Sequence, residues 1–387
     1  MSDMLIQLPP PTSVLEPPDI QSPLTQPMVV TAPAGSFHLK RVVLEDGPRA
    51  GVELLYVDTG RVRAAICPTR GLSLWQATID GHFCGWKSPV EGPIHPAHVA
   101  IAESSGLGWL DGFDELLVRC GMRSFGAPDF DAAGNLKFGL HGRVGNIPAR
   151  SWRVNLDEEH SLLEVIGEVH ESRFLQYNLR LTARYLFQIN EPSIGVQDRV
   201  TNASDVPTSM QMLYHINVGQ PFLGRGSKLH ITAPRSVARD ARAAEDLNAW
   251  RDYLGPTAGY AEQVYFFAPP ADSDGWARSM LAAPDSSCGF AVHFRPETLP
   301  YFSQWKNTVA EADGYVTGLE PGTGFPNPRT FEESQGRTVQ LAGGHSVDFT
   351  LRMEAISGRE RVEKFGARLA GQIGTQAFDP DWCLPRS

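Results

Sequence analysis

From Ser36 to about residue 357 the chain is an almost unbroken succession of short segments with alternating apolar and polar side chains. FHLKRVVLED, VELLYVDTG and VRAAICP follow one another with only turn residues between them. LQYNLRLTARYLFQ, IGVQDRVTN and HSVDFTLRMEAI repeat the pattern further on. A two-residue period puts successive side chains on opposite faces of a strand, so each segment buries one face. WRVNLDEEHSLLEVIGEVHE reads as a hairpin turning at its polar DEEH, and IGVQDRVTN ends in a turn at Asn202 to Asp205. Helical periodicity is scarce. DGFDELLVRCGM (Asp111 to Met122) is expected to form a short helix, and RERVEKFGARLAGQI near the C-terminus an amphipathic one. Many antiparallel strands with few helices imply an all-β sandwich or barrel. No repeat of 20–50 residues marks a propeller or solenoid, so a large two-sheet sandwich is the expectation.

The expected organisation has three parts. Residues 1–35 carry Pro9, Pro10, Pro11, Pro17 and Pro18 and predict an extended arm, disordered or wrapped over the body. Residues 36–357 form the β-sandwich, and residues 358–387 a C-terminal helix and tail. The net charge of −10 over 387 residues disfavours nucleic-acid and anionic-membrane partners. No apolar run approaches the ~20 residues of a membrane helix. The N-terminal MSDMLIQLPPPTSVLEPPD lacks a basic segment followed by an apolar core, so no secretory signal is expected. Five scattered cysteines without a CxxC pair fit a reducing cytoplasm better than a disulfide scaffold or thiolate zinc site. GLGWLDG (Gly106 to Gly112) is not a GxGxxG dinucleotide loop, and GxxxxGK[ST] and GxSxG are absent.

Three segments place an ionisable group beside glycines. In MQMLYHINVGQPFLGRG, Met210, Met212, Tyr214, Ile216 and Val218 share an apolar strand face. Gln211, Leu213, His215 and Asn217 share the other, so His215 is either a surface histidine or the floor of a site. In FGLHGRVGN, His141 and Arg143 stand where a strand turns into a loop, as a ligand contact or as a cap and a solvated arginine. In GYVTGLEPGTGFPNPRTFEESQG, Glu320 occupies the last strand position before Pro321 stops the strand. It is poised over a cavity, or it guards a strand edge. A histidine and a glutamate together make a general acid/base pair. YFSQWKN offers Trp305 as a flat apolar surface with Lys306 as a donor, although a strand Trp is commonly core. ICPTRGLSLWQA sets Arg70 in a tight turn before a strand.

LYHINVGQPFLGRG, FGLHGRVGN and GLEPGTGFPNP, in this order, resemble the aldose 1-epimerase (galactose mutarotase-like) superfamily, and within it a bacterial branch of uncharacterised aldose 1-epimerase family proteins. The resemblance covers most of residues 36–357 and implies a β-supersandwich with a sugar-binding cleft on a concave sheet face. It implies an isomerase that interconverts anomers of a small-molecule sugar without metal or cofactor. By motif, His215 is the general acid, Glu320 the general base, His141 a substrate-binding histidine and Arg143 a neighbouring contact. Glu320 as carboxylate would take the anomeric hydroxyl proton while protonated His215 gives one to the ring oxygen. Arg70, Asn217, Trp305 and Lys306 complete the candidate substrate-binding set. The chain departs from the pattern at Tyr214, where relatives have asparagine, at Arg143, where they have the second glycine of HGG, and in INVGQPFL after His215. Two rivals use the same cleft. One is a non-catalytic carbohydrate-binding or sensor protein. The other is an isomerase or lyase on a keto- or acidic sugar, with a metal held by His141, His215 and Glu320.

Overall fold

In a computed structural model that describes residues 4–371 and 373–384, the alternating segments assemble into two large, mainly antiparallel sheets. The first has nine strands, built around the hairpin Ser151–Asp157 and Leu162–Arg173, with Tyr177–Gln188, Ser193–Asn202 and Ser346–Ser357 beside it. The second has fifteen, and its centre runs Ser73–Ile79, Leu117–Met122, Thr208–Val218, Val316–Gly322, Tyr301–Asn307 in spatial order. One continuous apolar core lies between them, with Val165, Leu181, Tyr185, Val196 and Leu351 from the first sheet meeting Leu74, Leu117, Met212, Tyr214 and Leu319 from the second.

Most strands bury one face, but those at the centre of the larger sheet bury both. Leu213, Val118, Cys120 and Val316 point away from the main core into a second apolar cluster with Trp86, Trp109, Phe113 and Phe125. This explains a correction to the sequence reading. Asp111 to Met122 forms no α-helix. Gly108–Gly112 is a 3₁₀ turn, and Leu117–Met122 is a strand buried at every position. A continuous buried run has no period to distinguish strand from helix, and cross-strand pairing decided it. Pro321 likewise does not end its strand, since Phe302 pairs with it and the ladder runs to Gly322.

The proline-rich start of the chain wraps the body. Met4–Ile6 pairs with Ser151–Asp157 of one sheet, and Thr12–Val14 runs parallel to Gly35–Leu44 of the other. The Tyr56 hydroxyl donates to the Pro18 carbonyl at 3.0 Å. At the other end Arg359–Arg368 is helical and lays Val362 against Met280 and Ile356. Among the described residues no helix is long and apolar enough to cross a membrane.

Candidate active site

Register alone brings the acid/base candidates together. Leu213 pairs with Gly322 and Ile216 with Leu319, which sets His215 opposite Glu320 on adjacent strands. Side chains opposite one another share a face with Cβ atoms ~5 Å apart. Trp305 pairs with Gly318, two residues before Glu320, so its ring stands on that face too. His215 Nε2 lies 3.4 Å from Glu320 Oε1, and both side chains are buried at the floor of a cavity of about 490 Å³. Trp86, Trp109, Phe113 and Trp305 give that cavity aromatic walls.

His141 enters from the loop after Leu136–Phe138. Its backbone is left-handed at φ 55°, and its Nδ1 is 2.8 Å from the Phe125 carbonyl. A carbonyl only accepts, so Nδ1 carries the hydrogen and Nε2 is left as an acceptor. The ring meets His215 edge-on with centroids 5.0 Å apart. Asn217 orients His215 in a similar way. Its Nδ2 donates to the Glu115 carbonyl at 2.9 Å, so its Oδ1 faces His215 Nδ1 at 2.7 Å. The neutral imidazole therefore turns an Nε2 lone pair toward Glu320.

Burial shifts both titrating groups toward neutrality. It raises Glu320 from the ordinary carboxylic range to about 8, assisted by the negative charge of Glu262 and opposed by Arg239. It lowers His215 well below the usual imidazole value, with His141 contributing in the same direction and the Asn217 hydrogen bond opposing. His141 is pushed down to about 4, again by burial. At neutral pH the floor is thus a carboxylic acid facing a neutral imidazole. Glu320 Oε1 and Trp109 Nε1 are buried without a hydrogen-bond partner among the described residues. Unmet polar atoms at a cavity wall are what a polar ligand completes.

The remaining candidates divide. Trp305 lines the cavity, its Nε1 held by Glu262 Oε2 at 2.6 Å, and Glu262 is held in turn by Arg239. Lys306, one residue on, points to the opposite face as strand alternation requires. There it donates to the Asp252 carbonyl at 2.8 Å and lies over Tyr253. Arg70 is not a cavity residue either. It is fully buried behind the site, donating to Glu115, Asn146, Gly112 and Ile94, which engages all three of its nitrogens within the protein. Asn217 touches His215 and does not line the cavity. Arg143 lines a different cleft on the far side of the His141 loop. Tyr214 faces the core, where its hydroxyl donates to Asp198 at 2.9 Å, so that departure from the superfamily pattern does not enter the cavity.

Sequence reasoning did not find Trp86, Trp109, Phe113, Glu262 and Arg239. Trp109 and Phe113 lay in plain view in GLGWLDGF, a glycine-punctuated stretch whose aromatics signal a binding loop. Among the described residues no three His, Cys, Asp or Glu side chains converge as metal ligands.

Several solved structures share this architecture. A candidate aldose 1-epimerase from Klebsiella pneumoniae is 30% identical with a TM-score of 0.84, over 89% of this chain and 91% of that one. A galactose mutarotase-like protein from Clostridium acetobutylicum is 12% identical with a TM-score of 0.58, over 82% and 98% of the two chains, and shares the fold. So does a candidate aldose 1-epimerase from Escherichia coli K12, 13% identical with a TM-score of 0.52, over 79% and 100%. The two-sheet architecture is that of the aldose 1-epimerase (galactose mutarotase-like) superfamily. Within it, residues 49–355 match the family described as a domain of unknown function, DUF4432, and the chain belongs to that family. No curated protein matches the chain.

Proposed function

We propose that the protein is an aldose 1-epimerase acting on a neutral sugar, with His215 and Glu320 as the proton-transfer pair. What carries this reading is the 3.4 Å approach of His215 Nε2 to an otherwise unpartnered Glu320 Oε1 in an aromatic-walled cavity. Two groups that share one proton suit a reaction that removes a proton from one sugar oxygen and adds one to another. With Glu320 protonated, His215 Nε2 takes the O1 hydroxyl proton while Glu320 gives its own to the ring oxygen. The C1–O5 bond breaks and the aldehyde forms. The pair is then imidazolium and carboxylate, the charge state expected from the motifs. Rotation about C1–C2 and closure on the other carbonyl face return both protons. His141 Nε2 and Trp109 Nε1 would bind ring hydroxyls, and Trp305 would carry an apolar sugar face. Arg70, Arg143, Lys306 and Asn217 do not touch the sugar in this reading, and Asn217 positions His215.

Charge supports a neutral substrate. Among the described residues the one arginine on the cavity wall, Arg239, is already engaged by Glu262 and Asp240, and the acidic side chains of Glu262 and Asp313 border the same space as the Glu320 carboxyl. NMR of freshly dissolved pure anomers, neutral and acidic sugars side by side, tests the proposal. Acceleration above the spontaneous rate is expected for neutral sugars alone. No acceleration of any aldose would end it in favour of a sugar-binding protein.

The pH dependence follows from the single shared proton. The carboxyl is raised, so the active one-proton state exists below its folded value and is lost as pH rises through about 8. The imidazole is lowered, so the acid limb lies below the ordinary histidine value of 6.5. We expect kcat/KM to be flat near neutrality and to fall about tenfold per unit above pH 8. A rate still rising between pH 8 and 9 would contradict the assignment of the proton to Glu320.

Gly318 keeps space for that carboxyl. A Cβ there would stand 2.2 Å from Glu320 Oε1 and 3.2 Å from the Trp305 Cβ. Gly318→Ala should displace the carboxyl and lower kcat roughly 100-fold, the scale of a 1 Å misplacement. Because a movable side-chain end is what yields, the urea midpoint should stay close to wild type.

A further inference from the structure

The loop carrying His141 has two sides. Leu140 and His141 face the aromatic cavity, whereas Phe138 and Arg143 line a second cleft of about 700 Å³. In a chain of net charge −10 this cleft is locally basic, bordered by Arg123, Lys137, Arg143 and Arg173. Among the described residues the one acidic side chain that lines it, Glu171, is buried and already accepts the backbone N–H groups of Met122 at 3.0 Å and Arg123 at 3.3 Å.

Among the described residues the guanidinium groups of Arg143 and Arg173 have no ion-pair or hydrogen-bond partner, and the Lys137 ammonium reaches only the Thr330 hydroxyl at 3.3 Å. The Arg123 guanidinium lies over the Tyr177 ring at 4.8 Å and donates through one terminal nitrogen to the Thr208 hydroxyl and the Ser209 carbonyl, both at 3.4 Å, while its buried Nε has no partner. Beside it Ser124, 1% exposed, borders the same cleft, and its Oγ is buried and unpartnered. A solvated surface patch explains exposed arginines. It does not explain a sequestered hydroxyl and a sequestered guanidinium N–H without acceptors, because such groups are costly to leave unmet.

We propose that this cleft binds a small molecule bearing a tetrahedral oxyanion, a phosphate or sulfate ester, through Arg123, Arg143, Arg173 and the Ser124 hydroxyl. Guanidinium groups suit such an anion because their planar N–H forks donate in pairs to its oxygens. Burial raises the Glu171 carboxyl above its ordinary range, which lessens its repulsion of an anion. The site is distinct from the sugar cavity. It stands whether or not the sugar chemistry proposed above is right.

Isothermal titration calorimetry with inorganic phosphate, and separately with sulfate, against chloride at matched ionic strength tests it. One-site binding at about 1 mM or tighter is expected for at least one of the two anions. The Arg143→Ser/Arg173→Ser double variant, altered only at exposed positions, should bind at least tenfold more weakly, and Ser124→Ala several-fold more weakly. Glu320→Gln should bind as wild type. The proposal is overturned by absence of saturable binding of either anion, by equal binding in the double arginine variant, or by loss of binding in Glu320→Gln.

Discussion

Glu320→Gln should lower the rate of anomer interconversion by about 10²–10⁴-fold, the contribution of one positioned proton-transfer group, and leave the fold unchanged. Glutamine keeps the shape and the hydrogen-bonding capacity of the side chain and removes only its exchangeable acid proton. The reason to expect a fall in kcat more than a rise in KM is that the protonated carboxyl acts as the C1–O5 bond breaks. His215→Asn should be comparably damaging. The double variant should be scarcely worse than either single one, since two halves of one proton relay act as a unit. Polarimetry of a freshly dissolved pure anomer measures all three. Additive losses, or near-normal rates in both single variants, would remove the pair from the mechanism while leaving a sugar-binding cavity in place.

The second large effect concerns stability. Arg119 sits in a strand buried on both faces at the centre of the larger sheet. Its guanidinium is fully enclosed and donates to both Asp198 oxygens, at 2.5 and 3.0 Å, to the Leu72 carbonyl and to the Tyr185 hydroxyl. The Tyr214 hydroxyl donates to the same carboxylate. This cluster ties the two sheets together directly beneath His215. Arg119→Met would leave the Asp198 charge inside the core, and the expected cost is about 3–5 kcal/mol. That is a large share of the ~5–15 kcal/mol by which a domain is stable. Arg119→Met with Asp198→Leu removes both charges and should recover much of the loss. Urea unfolding measures both variants. A single variant within about 1 kcal/mol of wild type would mean that the cluster contributes little.

Parts of this molecule were readable from the chain. The period-2 segments specified a strand-dominated fold because burying one face of a strand requires alternation, and WRVNLDEEHSLLEVIGEVHE became the expected hairpin, Asp157 and Leu162 flanking its turn. Alternation also separated the Tyr214 face from the His215 face correctly: one lies in the main core, the other on the cavity floor. The error at Asp111 to Met122 arose because a strand buried on both sides loses the alternation that identifies it. The same rule applied one residue further would have separated Trp305 from Lys306, which stand on opposite faces.

Which distant residues meet was decided only by the tertiary structure. His215 and Glu320 are about a hundred positions apart in sequence, and strand register, set by how the whole sheet packs, makes them neighbours. Arg70 shows the converse. Its place in a tight turn left a ligand contact open, yet four acceptors from three separate segments surround it and make it a support behind the site. Local sequence carries the propensity of a segment and the face on which each side chain stands. Proximity, burial and the pKa shifts that burial causes belong to the assembled chain, because desolvation depends on every element that closes over a group.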